Sequence, residues 1–290
     1  MNENSPASTG SGSSGSTPSD APIAFIGGGN MARSLIGGLV ARGAAPDSIR
    51  VAEPVAALRD ALAADFGVAT FASAAEAAAG ASTWLLAVKP QVLREVCAAL
   101  APAAQAARPL VVSIAAGITS AQLDRWLGGG LAVVRAMPNT PALLGAGVTG
   151  VFANAATNAR RREAAEALLA SAGRTVRIED EALMDAVTAV SGSGPAYVFL
   201  LAEAMQGAGR AQGLPADAAR VLALETILGA GRMLTEGDAD AAELRRRVTS
   251  PGGTTQAAIE AFEAGGLREL VARAIEAATE RGRALSRGND

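Results

Sequence analysis

From Ala21 onward, short apolar runs alternate with longer helical stretches: PIAFIG, ARSLIGGLVARG, SIRVAEP, VAALRDALAADFG, STWLLAVKP, QVLREVCAALAPAA, RPLVVSIAAG and LAVVRAMPNTP. The apolar runs have the length of strands buried on both faces, and the stretches between them have the length of helices. This alternation leaves few folds open, because parallel strands need helical crossovers and both faces of their sheet must be covered. Strands are expected at 22–27, 48–53, 67–71, 82–88, 109–114 and 131–137, in a mostly parallel, doubly wound α/β sheet with helices on both faces. Composition agrees. Half of the residues are hydrophobic but only 3% are aromatic, and Ala, Leu and Val suit close helix packing and buried parallel strands better than a β-sandwich.

After about Arg177 the strand pattern stops. Helices are expected at 180–190, 192–212, 215–236 and 239–248, with two more beyond Ser250. The chain therefore divides into a disordered tail, 1–20, rich in Ser, Gly, Thr and Pro; an α/β sheet domain, 21–177; and a helical domain, 178–290. Two of the helices, AYVFLLAEAMQGAG and AARVLALETILGAGRML, are apolar on more than one face. Surplus apolar surface of that kind favours a subunit interface over a self-contained bundle.

Charge and residue usage exclude several classes. A formal net charge of −3 and a pI near 5.3 offer no broad basic face, so nucleic acid is not an expected partner. No run reaches ~18 uninterrupted apolar residues, and the first twenty lack the charged and apolar regions of a signal peptide, so neither membrane insertion nor export is expected. The single cysteine, Cys97, cannot form an internal disulfide and fits a reducing cytoplasm. With no histidine at all, the chain lacks the usual base of many dehydrogenases, every Ser-His triad and the common zinc sites, and no metal is expected.

The first strand ends in Ile26-Gly27-Gly28-Gly29-Asn30-Met31-Ala32, a G-x-G-x-x-A form of the dinucleotide fingerprint that opens a helix. Gly27 permits the tight turn, Gly29 lets the backbone approach a pyrophosphate, Ala32 allows close helix packing, and the free N–H groups of the new helix face the anion. Glu53 ends the second strand. There a carboxylate can accept hydrogen bonds from the ribose hydroxyls of NAD and repel the extra phosphate of NADP, or it can be a solvated acid before Pro54. Ser48, Arg50 and Arg59 flank this point without marking a phosphate clamp, so the cofactor is either NADPH or NADH.

Three further segments carry a resemblance: Ala87-Val88-Lys89-Pro90 after the fourth strand, Met137-Pro138-Asn139-Thr140-Pro141 after the sixth, and Ser191-Gly192-Ser193-Gly194-Pro195-Ala196-Tyr197 followed by Ser250-Pro251-Gly252-Gly253-Thr254-Thr255. With the glycine turn, and in order from about Pro22 to Ser286, they make the chain resemble the pyrroline-5-carboxylate reductase family. The resemblance implies a Rossmann domain, an all-α dimerisation domain, a homodimer that can assemble further, and an active site where the nicotinamide meets the partner's helices. It implies hydride transfer from NADPH or NADH to the cyclic imine of pyrroline-5-carboxylate, giving proline.

On the same grounds, Ile26 to Met31, Glu53, Ala87, Val88, Lys89, Pro90, Ile114, Ala115, Ala116 and Asn139 would contact the cofactor. Lys89 would reach an anion, the small residues at 114–116 would let the nicotinamide ring lie close, and the amide of Asn139 would orient it. Ser250, Gly252, Gly253, Thr254 and Thr255 would hold the substrate, with the Thr255 hydroxyl as the catalytic group at the ring nitrogen. Read from the residues alone, Thr254 or Thr255 is better explained as a helix cap that satisfies orphan N–H groups. The chain departs from many relatives in having Gly237-Asp238-Ala239-Asp240 and Leu244-Arg245-Arg246 where they have Gly-x-His-Pro and Leu-Lys-Asp. Glu53 stands where relatives offer Ser or Asn to a 2′-phosphate. Rival readings are a β-hydroxyacid-type dehydrogenase, whose helix lysine has no counterpart after Arg177, and a non-catalytic nucleotide-sensing dimer.

Overall fold

The six expected strands form within two residues of their expected bounds in the computed structural model, which describes residues 21–288. The tail expected to be disordered, 1–20, lies outside the described residues. Strands β1 (Ile23–Ile26), β2 (Ile49–Ala52), β3 (Ala69–Phe71), β4 (Thr83–Leu86), β5 (Leu110–Ser113) and β6 (Ala132–Met137) are all parallel. Helices α1 (Asn30–Ala41), α2 (Ala56–Phe66), α3 (Ala74–Ala78), α4 (Pro90–Ala107) and α5 (Ser120–Trp126) connect them.

Alternation along these strands builds two cores, one on each face of the sheet. Phe25, Val51, Leu85, Val112 and Val134 face Leu35 and Ile36 of α1, Leu62 of α2, and Leu168 and Leu169 of α6 (Ala159–Leu169). Ile26, Trp84, Leu86, Val111 and Val133 face Ala77 and Ala78 of α3, Leu93, Cys97 and Leu100 of α4, and Leu123 of α5. Burial pushes the Cys97 thiol up to about 12, because the thiolate would lose its hydration. That thiol is core packing, inert at neutral pH.

Two strands were not expected. β7 (Gly147–Ala153) runs antiparallel to β6, and β8 (Gly173–Arg177) pairs parallel to β7, giving an eight-stranded sheet of order β3-β2-β1-β4-β5-β6-β7-β8. The sheet thus carries a reversed edge beyond its parallel body.

Beyond β8 every described element is helical: α7 (Met184–Val187), α8 (Gly194–Ala211), α9 (Ala216–Glu236), α10 (Ala241–Arg247), α11 (Thr254–Ala264) and α12 (Leu267–Gly288). The single helix expected at 180–190 is instead a 3-10 turn at Glu181–Leu183, then α7, then a π turn at Thr188–Gly192 that runs into α8. Hydroxyls explain the widened turn: Thr188 Oγ1 donates to Met184 O and Ser191 Oγ to Val187 O, both at 2.9 Å, competing for carbonyls of the helical ladder.

This junction is bound to the sheet. Arg135, buried in β6, lies 3.5 Å from both Glu181 and Asp185, and the Glu181 carboxylate accepts from the N–H and hydroxyl of Ser120 at 2.6 Å. The long α12 folds back over it, with Gly282 against Asp185 and Ser286 O accepting from the Gln122 side chain at 3.1 Å. By contrast α8 and α9 pack mainly on each other, and Phe199, Leu200, Leu222 and Leu228 of this pair are exposed. Among the described residues, no helix is long and apolar enough to cross a membrane.

Candidate active site

Strand order reverses between β1 and β4, and ligands of open α/β sheets bind outside the carboxyl ends of the strands at such a point. The glycine turn sits there. Gly27 has φ +107°, and a Cβ on it would lie 2.9 Å from the carbonyl of Ala87 at the end of β4, so only glycine fits. Its N–H donates to Ala52 O at 2.8 Å. Gly29 caps α1 with no side-chain hydrogen bond, and nothing lies within 4 Å of where its Cβ would be. The first amides of α1 therefore open onto free space with the positive end of the helix dipole behind them, which fits a diphosphate. Ala32 is buried, as close helix packing requires.

Glu53 follows β2, beside that turn, and is only 7% exposed. Its Oε2 accepts from Gly28 N–H and its Oε1 from Val55 N–H, both at 3.0 Å, so it is a held carboxylate rather than a solvated acid. Arg59, in the first turns of α2, folds back onto the same loop and donates from Nη1 to Glu53 O at 2.8 Å and Pro54 O at 2.9 Å. Sequence reasoning passed over Arg59, because nothing in its spacing shows that α2 returns it to the end of β2.

The remaining edge positions divide by where their side chains go. Lys89, the only lysine of the chain, is the exposed N-cap of α4, with Pro90 at the first helical position; Ala87 and Val88 are half-buried. Ile114 and Ala116 are half-buried, but Ala115 and Ile26 turn into the core under α3, α4 and α5 and present only their backbone to the edge. Met31 packs on the opposite core, beneath α1, α2 and α6, while Asn30 is exposed. Asn139 differs from its expected role. Its Oδ1 accepts from Val148 N–H at 2.9 Å and its Nδ2 donates to Ser191 O at 3.2 Å, so the amide braces the end of β6 against β7 and the π turn. One N–H of that amide is left for a ligand.

The segment Ser250–Thr255 is the loop between α10 and α11. Gly252 has φ +71°, and Gly253 N–H donates to Ser250 O at 3.0 Å. Gly253 caps α11 without a side-chain hydrogen bond, and the hydroxyls of Thr254 and Thr255 have no hydrogen-bond partner among the described residues. Neither threonine is the cap. Gln256 Oε1 accepts instead from Gly252 N–H, one residue before the cap position, at 2.7 Å while its Nε2 donates to Glu260 at 2.7 Å, so α11 starts without a side-chain cap.

Where relatives carry His and Pro before this loop, Asp240 caps α10 by accepting from Glu243 N–H at 2.8 Å. Glu263 of α11 joins Arg268 at 2.8 Å and Arg245 of α10 at 3.5 Å, and hydrogen bonding to the Arg268 guanidinium holds the Glu263 carboxyl below its usual range. The loop's own hydrogen bonds stay within α10, the loop and α11; among the described residues none reaches the sheet edge.

Residues 181–285 match the family described as pyrroline-5-carboxylate reductase dimerisation, and residues 22–117 match NADP oxidoreductase coenzyme F420-dependent. The pyrroline-5-carboxylate reductase of Pseudomonas aeruginosa is 52% identical over 264 residues, covering 91% of this chain and 96% of the relative. The chain belongs to the pyrroline-5-carboxylate reductase family. Among solved structures, the family member from Coxiella burnetii superposes with a TM-score of 0.89 at 40% identity, over 92% of this chain and 99% of its own. The pyrroline carboxylate reductase of Plasmodium falciparum, solved with NADP bound, gives a TM-score of 0.80 at 28% identity, over 92% and 98% of the two chains. Fold and membership thus agree from the glycine turn to α12.

Proposed function

We propose that this protein reduces pyrroline-5-carboxylate to L-proline with NADH or NADPH, as a homodimer in the cytoplasm. The observation that carries the reading is 52% identity to a pyrroline-5-carboxylate reductase across nine-tenths of the chain. The bound nicotinamide supplies the hydride. The chain's residues bind, orient and polarise. Gly29 and the amides opening α1 hold the diphosphate, Glu53 takes the adenosine ribose, and the edge at 87–90 and 114–116 receives the nicotinamide half, with Lys89 offering charge to an anion.

At the other ligand, the uncapped start of α11 and the backbone of Ser250, Gly252 and Gly253 receive the substrate carboxylate. The Thr255 hydroxyl, free of any capping duty, hydrogen-bonds the ring nitrogen and steadies the proton there as the imine carbon is reduced. No strong base is needed, which is how a chain without histidine performs the reaction; orientation of the two reactants supplies much of the rate. Because the loop of one chain is not bonded to its own sheet edge, we assign it to the partner's cofactor site, reached through the exposed apolar faces of α8 and α9.

Oxidation of NADH and NADPH, followed at 25 °C with pyrroline-5-carboxylate and with product identified as proline, tests the reading. Cofactor binding without turnover would leave the protein a nucleotide sensor instead.

A further inference from the structure

We propose that Arg59 is the residue through which this protein accepts a 2′-phosphate, so that NADPH binds at a site whose carboxylate, Glu53, would by itself favour NADH. The inference rests on the cofactor placement given under the proposed function. A dinucleotide whose diphosphate lies on the turn before α1 carries its adenosine ribose across the end of the adjoining strand. That strand is β2, paired with β1 up to Ile26↔Ala52, and the next residue is Glu53.

Glu53 does not act there as a bare charge. Both of its oxygens already accept a backbone N–H at 3.0 Å, and two amide dipoles offset part of the repulsion an incoming phosphate would meet. Each oxygen keeps acceptor capacity for a ribose hydroxyl.

Arg59 supplies the opposite charge on the same loop. Two hydrogen bonds from Nη1 to the carbonyls of residues 53 and 54 fix the guanidinium beside Glu53, which removes most of the rotamer freedom a phosphate would otherwise have to freeze. The Nε and Nη2 groups have no protein partner among the described residues, and they are the donors a phosphate takes in the planar, two-pronged arrangement that arginine favours.

The other cations nearby are committed or misplaced. Arg50 donates to Glu76 O and Ala77 O and lies 4.4 Å from the centre of the Phe71 ring. Arg33 is paired with Asp65 and lies over Phe66. Lys89 follows β4, on the far side of β1 from β2.

Calorimetric binding of ADP-ribose and of its 2′-phosphorylated form to the full chain reads this without any turnover. Arg59→Ala should weaken the 2′-phosphorylated ligand by about tenfold or more while changing ADP-ribose by less than about twofold. Arg59→Gln keeps a polar amide but shortens the side chain and removes its charge, and it should show the same split. In parallel, the ratio of kcat/KM for NADPH over NADH should fall by a similar factor. Equal losses for both ligands would make Arg59 a brace of the loop and overturn the proposal, as would full retention of the 2′-phosphorylated ligand in the Gln variant. A wild-type protein that binds both ligands yet fails to reduce pyrroline-5-carboxylate would sink the proposed function alone. One that binds neither would sink both.

Discussion

Gly29 and Thr255 are the residues at which binding and folding separate most cleanly. Gly29 has an ordinary extended backbone and open space around its missing Cβ, so Gly29→Val meets no protein atom. The fold should survive, at a cost of about 1 kcal/mol for an apolar residue at the N-cap of α1, while ADP-ribose affinity falls at least about tenfold because the branched side chain stands where the diphosphate approaches. Calorimetry on a folded variant checks this, and unchanged affinity would remove the turn from the cofactor site. Thr255 is the counterpart on the substrate side. Since its hydroxyl caps nothing, Thr255→Ala should leave the melting temperature nearly unchanged, yet lower kcat/KM for pyrroline-5-carboxylate at least about tenfold, or ~1.4 kcal/mol of transition-state stabilisation. Normal turnover with a lowered melting temperature would return Thr255 to a structural role.

Elements differ in how much of themselves they wrote into the sequence. β1, β2, β4, β5 and β6 were legible because each is a short, mostly apolar run largely buried within a parallel sheet, and β3, a half-buried edge strand, because it falls in step with the same alternation. β7 and β8 were not. β7 contains Gly147 and Gly150, which read as turn residues but are needed where Ala142, Ala172 and Val187 press against the strand, and β8 is a largely exposed edge of mixed polarity, GRTVR. The break in the helix at 180–190 was hidden for another reason: hydroxyl back-bonding by Thr188 and Ser191 leaves no mark on hydrophobic period. In the site, the turn and the threonine loop were legible as motifs, whereas Asn139 as a brace and Arg59 as a neighbour of Glu53 depend on contacts made by the fold. The start of α10 shows how a missing motif is replaced. Asp240 supplies the cap that bonds Glu243 N–H, so Asp240→Ala should cost about 1 kcal/mol in thermal unfolding and loosen the loop that α10 feeds. A variant as stable as wild type would mean that another group holds this helix end.

For the whole molecule, the decisive question is which chain's loop serves which chain's glycine turn. The turn lies at the switch point of the sheet, whereas Ser250–Thr255 lies between two helices whose hydrogen bonds stay local, and α8 and α9 leave Phe199, Leu200 and Leu228 exposed between them. A two-fold dimer that buries those faces can bring the loop of each subunit to the turn of the other. The two point variants above then become a test of architecture. In a dimer of Gly29→Val with Thr255→Ala, crossed sites place both lesions in one active site and leave the other wholly wild type, from the turn of the second chain and the loop of the first. Sites built within one chain would each carry one lesion and stay impaired. Unfolding and refolding an equimolar mixture gives half mixed dimers, so crossed sites should restore about a quarter of wild-type activity, well above either variant alone. Leu200→Asp, which puts a charge on an exposed position of α8, should give monomers in sedimentation and abolish that recovery when present in both chains. Should the mixture stay as inactive as its components while sedimenting as dimers, each chain would complete its own site, and the loop would have to reach its own sheet edge by a movement of α10 and α11.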